Sequence, residues 1–115
     1  DRQRVITSHE AMVQKEIPKS MIVMGAGAIG VEFAYFYNAY GTKVTIIEMQ
    51  KNILPIEDVE VSKELEKHYK KYGVEMLTET RVLSAKTVGN GVEVKIQKKD
   101  GSEETLKADL ALNAI

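Results

Sequence analysis

The glycine-rich segment Gly25-Ala26-Gly27-Ala28-Ile29-Gly30 fits the pattern G-x-G-x-x-G, and its spacing is the clearest chemical signal in the chain. In this pattern the first glycine allows a tight turn and the second lets the backbone approach a pyrophosphate. The third permits a helix to pack closely on a strand. Glu48 follows at the distance expected of the carboxylate that accepts hydrogen bonds from a ribose. The two features together predict a dinucleotide-binding site.

Glu48 also bears on which dinucleotide would bind. Its carboxylate would repel the additional phosphate of NADP, and NADP sites usually place an arginine near that position. The four residues that follow Glu48 include no arginine, and Lys51 is the only cation close to it in sequence. We therefore expect NAD to be the preferred cofactor. FAD-binding units share the glycine fingerprint, so the motif by itself leaves a flavin open.

The elements around the motif would position it. A continuous apolar run at 20–24 is typical of a strand buried on both faces, and the β-branched run at 43–48 predicts a second strand. Between them, residues 28–40 show helical spacing, with small residues at Gly30 and Ala34 that would let the helix lie close to the sheet. The larger apolar side chains on one face of that helix are Ile29, Phe33, Phe36 and Tyr40.

The rest of the chain predicts one more helix and several strands. Val5-Ile6-Thr7-Ser8 is interpreted as a lead-in, with Ser8 as the N-cap of a short helix over 9–13. A helix over 57–72 would carry an apolar stripe formed by Val61, Leu65, Tyr69 and Tyr72. Strands are expected at 74–77, 82–88, 92–98, 103–106 and 108–114, with turns at Gly89-Asn90-Gly91 and Asp100-Gly101. The predicted architecture is an α/β, Rossmann-like dinucleotide-binding fold: a parallel sheet with helices and a three-stranded antiparallel meander, in one domain over 1–115.

Composition excludes several classes of function. The chain has 115 residues, 43% of them hydrophobic and 29% charged, with a net charge of −1, so we expect neither a nucleic-acid nor a membrane partner. Cysteine is absent, which removes a thiol redox centre and cysteine-based metal sites from these residues. His9 and His68 show no ligand spacing and are interpreted as exposed helix residues. We predict no metal site and no catalytic residue in this chain.

Two further groups of residues lie on the helix that follows the motif. Glu32 is placed in the first helical turn, where it would either contact the helix dipole or lie beside the cofactor, and both alternatives stay open. Tyr35, Tyr37 and Tyr40 are interpreted as packing residues.

Several segments resemble the NAD-binding domain of the pyridine nucleotide–disulfide oxidoreductase family, and within it the members that oxidise dihydrolipoamide. The segments are Ile17-Pro18-Lys19, Gly25 to Glu32, Gly41 to Glu48, Leu54-Pro55, Asp58 and Asn113-Ala114-Ile115. The resemblance covers essentially the whole chain. It implies an FAD domain before this one and a dimerisation domain after it. Electrons would pass from a dithiol to a redox disulfide, to FAD, and as hydride to NAD.

The resemblance also implies roles for individual residues. Gly25, Gly27 and Gly30 would bind phosphate, Glu48 the ribose, and Glu32 would be the acid on the nicotinamide side. Val82 would line the adenine pocket, whereas Ala28 stands where several relatives carry a larger residue, sometimes a tyrosine that covers the flavin. The full set of expected cofactor-binding residues is Gly25, Gly27, Ala28, Ile29, Gly30, Glu32, Glu48, Val82 and Ala114.

The resemblance further implies partners and a location. Lipoyl domains of 2-oxoacid dehydrogenase complexes and a homodimer partner would bind the full-length enzyme, in a bacterial cytoplasm or a mitochondrial matrix. The isolated chain is expected to be inactive, since it has neither redox cysteines nor an FAD domain. The alternatives are a domain of another flavoprotein disulfide reductase or NADH oxidase, and a non-catalytic NAD-binding module.

Overall fold

The computed structural model describes residues 4–7, 10–11, 17–53 and 59–115. Within these ranges a parallel sheet lies between helices and a three-stranded antiparallel sheet, which confirms the predicted fold class. The elements are β1 Val5–Thr7, β2 Ser20–Met24, α1 Ala28–Ala39, β3 Lys43–Ile47, α2 Val59–Lys71, β4 Glu75–Leu77, β5 Arg81–Val88, β6 Gly91–Gln97, β7 Glu103–Ala108 and β8 Leu110–Asn113. Glu10 and Ala11 are helical, and the other residues of the predicted helix over 9–13, with Ser8, Leu54-Pro55, Glu57 and Asp58, lie outside the described residues.

The parallel sheet has the strand order β1-β8-β2-β3-β4. The segment Val5–Thr7, interpreted from sequence as a lead-in, is therefore a strand, which pairs in parallel with β8. Three residues are too few to show the alternation by which a strand is detected. The last strand of the chain, β8, lies between β1 and β2 and pairs with both.

Strand β2 is buried on both faces, as its continuous apolar run predicts. Met21 and Val23 belong to a core shared with the helices, and Ile22 and Met24 belong to a second core under the antiparallel sheet. Because successive side chains of a strand point to opposite faces, a single strand contributes to both cores.

Helix α1 packs on the sheet through a face that includes Gly30 and Ala34, and of the predicted apolar face only Phe33 packs against the core. Ile29, Phe36 and Tyr40 are 53%, 47% and 64% exposed. The close approach that Gly30 permits brings a different stripe onto the sheet, formed by Gly30, Val31, Ala34 and Tyr37. Of the three tyrosines interpreted as packing residues, only Tyr37 is buried, and its hydroxyl donates to the Ala11 carbonyl at 2.9 Å.

Helix α2 shows the same kind of difference from its predicted stripe. Tyr69 is buried and Leu65 packs against the core, but Val61 and Tyr72 are exposed. The Tyr69 hydroxyl donates to the Val31 carbonyl at 2.6 Å, which ties α2 to the first turn of α1. His68 is exposed, as predicted.

The antiparallel sheet contains both predicted hairpins, with different turn residues. Val88 pairs with Gly91, so Gly89-Asn90 forms the first turn, with Gly89 at φ +60°. In the second, the Lys98 N–H donates to the Ser102 carbonyl at 2.8 Å, which makes a three-residue loop that ends at Gly101.

No described helix is long and apolar enough to span a membrane. The described His, Asp and Glu residues include no group of three placed to hold a metal ion.

Candidate functional site

A cleft of about 310 Å³ lies at the carboxyl ends of β2, β3 and β8. In open α/β sheets ligands bind at this edge, outside the ends of the strands. Five of the predicted site residues line the cleft: Gly25, Gly27, Glu48, Val82 and Ala114. The structure also adds residues that sequence reasoning missed: Ala26, Ile47, Met49, Thr80, Arg81 and Ile115.

Gly25 and Gly30 are required by the fold itself. Gly25 has φ +104°, and a Cβ there would lie 2.9 Å from the carbonyl oxygen of Ala114. Its N–H donates to the Ile47 carbonyl at 2.8 Å, which joins the turn to β3. A Cβ on Gly30 would overlap the carbonyl oxygen of Gly25, because α1 begins directly against the turn. These two positions make the tight turn and the close helix contact that the motif predicts.

Gly27 differs from the other two glycines of the motif. Its backbone is extended, with φ −71° and ψ −174°, so any residue type could adopt it. A Cβ on Gly27 would meet no protein atom within 4 Å, although the residue lines the cleft. Gly27 is also the N-cap of α1, and a glycine has no side chain to bond the first N–H groups of the helix. The start of α1 therefore presents N–H donors, and the positive end of the helix dipole, beside open space.

Glu48 is 8% exposed and both of its carboxylate oxygens are engaged by backbone. Oε1 accepts the Ala26 N–H at 2.8 Å, and Oε2 accepts the Gln50 N–H at 2.7 Å. Each carboxylate oxygen has two acceptor positions, so both can still accept a hydroxyl from the cleft. Glu48 thus fixes the glycine turn as well as carrying charge into the site, a role that no sequence pattern signalled.

Part of the cleft lining comes from the turn that leads into β5. The Thr80 N–H donates to the Glu48 carbonyl at 3.1 Å, and Thr80 is buried. Glu79 has φ +51°, a left-handed conformation that costs a non-glycine residue about 1–2 kcal/mol. The register of β5 shifts between Val82 and Ser84, so a bulge follows the residue predicted to line the adenine pocket.

Arg81 is a cation of the cleft that the sequence did not place there. Lys51, the only cation close to Glu48 along the chain, does not line the cleft, whereas Arg81 does. Arg81 is far from Glu48 along the chain, so the sequence gives no direct indication that the two residues line the same cleft. The only relevant signal in the sequence is the adjacent Val82, which was itself placed in the site.

Four predicted site residues lie on α1 outside this cleft: Ala28, Ile29, Gly30 and Glu32. Ala28 and Glu32 are exposed at the surface of the described chain. Glu32 is the fifth residue of α1, so it lies in the second turn and not the predicted first turn. The pKa of the buried Tyr69 hydroxyl is raised above its ordinary value, first by burial and then by the charges of Tyr35 and Glu32.

Comparison with known proteins gives concordant results. A family model for pyridine nucleotide-disulphide oxidoreductase matches residues 1–115. Dihydrolipoyl dehydrogenase of Mycobacterium tuberculosis is 49% identical over 111 residues, which cover 96% of this chain and 24% of the relative. The chain therefore spans about a quarter of the length of the curated relatives it matches.

Solved structures show the same architecture. LpdA from Mycobacterium tuberculosis superposes with a TM-score of 0.87 at 31% identity, over 100% of this chain and 24% of that one. An engineered water-forming NADPH oxidase bound to NADPH superposes with a TM-score of 0.83 at 26% identity, over 100% of this chain and 26% of that one. Since the family model matches every residue, the resemblance predicted from the motifs is confirmed: this chain belongs to the pyridine nucleotide-disulphide oxidoreductase family.

Proposed function

We propose that this chain is the NAD(H)-binding domain of a dihydrolipoyl dehydrogenase. The observation that carries the proposal is Gly27, where the fold leaves open space that a side chain could fill without touching protein. A glycine that neither backbone conformation nor packing requires is explained by a ligand that approaches the backbone there. The uncapped start of α1 supplies N–H donors and a positive dipole end, which suit a pyrophosphate.

The rest of the cleft fits the adenosine half of such a ligand. Glu48 accepts two backbone N–H groups and keeps acceptor positions for ribose hydroxyls. Val82 and Met49, which both line the cleft, offer apolar surface for an adenine ring. The residues of the chain would therefore bind and orient the nucleotide, from the glycine turn at one end to β5 at the other.

In the reaction we propose, NAD supplies the chemistry by accepting a hydride. The chain contributes no thiol to it, because cysteine is absent from its 115 residues. Its share is to hold the dinucleotide in one orientation, while FAD and the redox disulfide are bound elsewhere in the enzyme. The proposed partners are lipoyl domains and a second copy of the enzyme; the dihydrolipoyl group in the name of the relatives supports the first of these.

A second candidate is the equivalent domain of an NADH oxidase. The solved water-forming NADPH oxidase that superposes on this chain supports an oxidase of this fold as the alternative, although that engineered enzyme binds NADPH. The parent enzyme separates the two candidates, because only a dihydrolipoyl dehydrogenase would reduce NAD with dihydrolipoamide under anaerobic conditions.

Calorimetric titration of the purified protein with NADH, ADP-ribose and nicotinamide mononucleotide tests the binding proposal. ADP-ribose contains the pyrophosphate and adenosine groups for which the cleft has contacts, so it should bind within about tenfold of NADH. Nicotinamide mononucleotide should bind much more weakly. If the protein binds neither NADH nor ADP-ribose at millimolar concentration, the proposal is wrong.

A further inference from the structure

A second cleft of about 420 Å³, here called the annex, adjoins the cleft proposed to bind the dinucleotide, here called the nucleotide cleft. The annex lies on the side of the nucleotide cleft that is proposed to hold the adenosine. Met49, Thr80 and Arg81 line both clefts, so the annex continues the nucleotide cleft beyond Glu48. Its other lining residues are Glu79, Gln97, Lys98 and Lys99.

The annex is positively charged. Arg81, Lys98 and Lys99 line it, and Glu79 is the carboxylate among the lining residues. Lys98 pairs with Glu104 at 2.9 Å and Lys99 pairs with Glu79 at 3.3 Å. Arg81 forms no ion pair with any residue that the structure describes. Its guanidinium is therefore the cation whose charge remains available at the junction of the two clefts.

The backbone fixes where Arg81 lies. The Glu79 N–H donates to the Gln50 carbonyl at 2.8 Å, and the Thr80 N–H donates to the Glu48 carbonyl at 3.1 Å. These two bonds hold the start of β5 against the segment that carries the proposed ribose carboxylate. Arg81, the next residue, is thus placed beside the ribose end of the site by a rigid turn.

We propose that the annex is a phosphate subsite and that it takes the 2′-phosphate of NADPH, with Arg81 as the specificity-determining residue. This assignment rests on the proposed nucleotide function and adds how the site distinguishes NADPH from NADH. A phosphate attached to the adenosine ribose would extend past Glu48 toward the annex, where a guanidinium can bond two of its oxygens. The Glu48 carboxylate repels such a phosphate, and Arg81 opposes that repulsion. The protein therefore binds both dinucleotides, with a preference for NADH smaller than Glu48 alone would impose.

Calorimetric titration of NADH and NADPH against wild type, Arg81→Gln and Lys86→Gln tests this proposal. Lys86 is the matched control, since it is an exposed cation on the same strand and lines neither cleft. Wild type should bind NADPH within about tenfold of NADH. Arg81→Gln should weaken NADPH about tenfold or more and NADH less than threefold, because the ion pair with the phosphate is removed. Lys86→Gln should leave both dissociation constants within twofold, and added salt should weaken NADPH more than NADH.

The outcomes separate this inference from the function on which it rests. If wild type binds NADH but Arg81→Gln changes NADPH affinity no more than Lys86→Gln does, the annex is not a 2′-phosphate subsite. If inorganic phosphate binds with Arg81 but NADPH shows no dependence on Arg81, the site takes the free ion, and the proposal is overturned. If wild type binds neither dinucleotide, the nucleotide function itself is wrong.

Discussion

The two ends of the nucleotide cleft are built in different ways. At the proposed pyrophosphate end, the contacts come from backbone: Gly25 makes the turn, Gly30 lets α1 begin against it, and Gly27 leaves space that no protein atom occupies. At the proposed adenosine end they come from side chains: Glu48 follows β3 of the parallel sheet, and Arg81 and Val82 lie on β5 of the antiparallel sheet. The first end is local in sequence and the second is assembled by tertiary structure. Substitutions at the two ends should therefore differ in how they change nucleotide affinity and the free energy of unfolding.

The largest effect is expected from Gly27→Val, which tests the backbone end. A branched side chain would occupy the space we assign to pyrophosphate, so NADH affinity should fall by at least about a hundredfold, or 2.7 kcal/mol. The fold should tolerate it, with the free energy of unfolding lowered by less than about 1 kcal/mol, because the N-cap backbone is extended. Calorimetry and urea denaturation measure the two quantities. Unchanged NADH affinity would place the phosphate elsewhere.

Gly30→Ala, at the same end of the cleft, should instead act mainly on the stability of the fold. Alanine is favoured over glycine inside a helix by about 1 kcal/mol, but its Cβ would overlap the Gly25 carbonyl oxygen. Because that oxygen belongs to backbone, the turn has to shift, and we expect a net destabilisation of about 1–3 kcal/mol. Urea denaturation measures it, with Gly27→Ala as the matched control. Equal stabilities for the two variants would contradict the assigned roles.

Glu48→Gln tests the side-chain end. The amide keeps the shape but presents an N–H₂ group to one of the two backbone N–H donors, so one loop hydrogen bond is lost. NADH affinity should fall about tenfold, corresponding to about 1.4 kcal/mol, because the charged acceptor for the ribose is also lost. NADPH should be weakened less, since the repulsion of its extra phosphate disappears. An unchanged ratio of the NADH and NADPH dissociation constants would show that Glu48 does not discriminate at the ribose.

The smallest effect is expected from Tyr69→Phe. This substitution tests whether α2 stabilises the glycine turn at the pyrophosphate end of the cleft. Loss of the hydroxyl bond to the Val31 carbonyl should lower the free energy of unfolding by about 1 kcal/mol and leave NADH affinity within twofold. A tenfold loss of NADH affinity would mean that α2 controls the shape of the glycine turn.

The same substitution should also change how the free energy of unfolding depends on pH. Burial raises the pKa of the Tyr69 hydroxyl in the folded chain, so the folded state holds this proton more tightly than the unfolded state. Its contribution to stability is complete below about pH 10 and is lost as the pH rises through the raised pKa. Wild type should therefore lose stability above pH 10 more steeply than Tyr69→Phe. Parallel curves of unfolding free energy against pH would contradict this assignment.

The sequence predicts the backbone end of the cleft well because its parts are contiguous. The glycine spacing, the strand before it and the helix after it lie within about 20 residues, and local geometry decides their arrangement. Arg81 could not be predicted, since only the pairing of residues 79–80 with 48–50 brings it to the site. The buried face of α1 also differs from the predicted one: Ile29, Phe36 and Tyr40 are exposed, whereas the residues that pack on the sheet are Gly30, Val31, Ala34 and Tyr37.

The position of β8 has a consequence for how this chain folds. The strand that is last in sequence pairs with both β1 and β2, and β1 has no other partner in the described sheet. The two pairings join residues 106 and 89 positions apart, so closing the complete sheet costs more loop-closure entropy than pairing β2 with β3. During synthesis on a ribosome, β2 and β3 can pair early. The other edge of β2, which is apolar, then stays unpaired until residues 110–113 have been synthesised. That interval is when the chain is most exposed to misassociation.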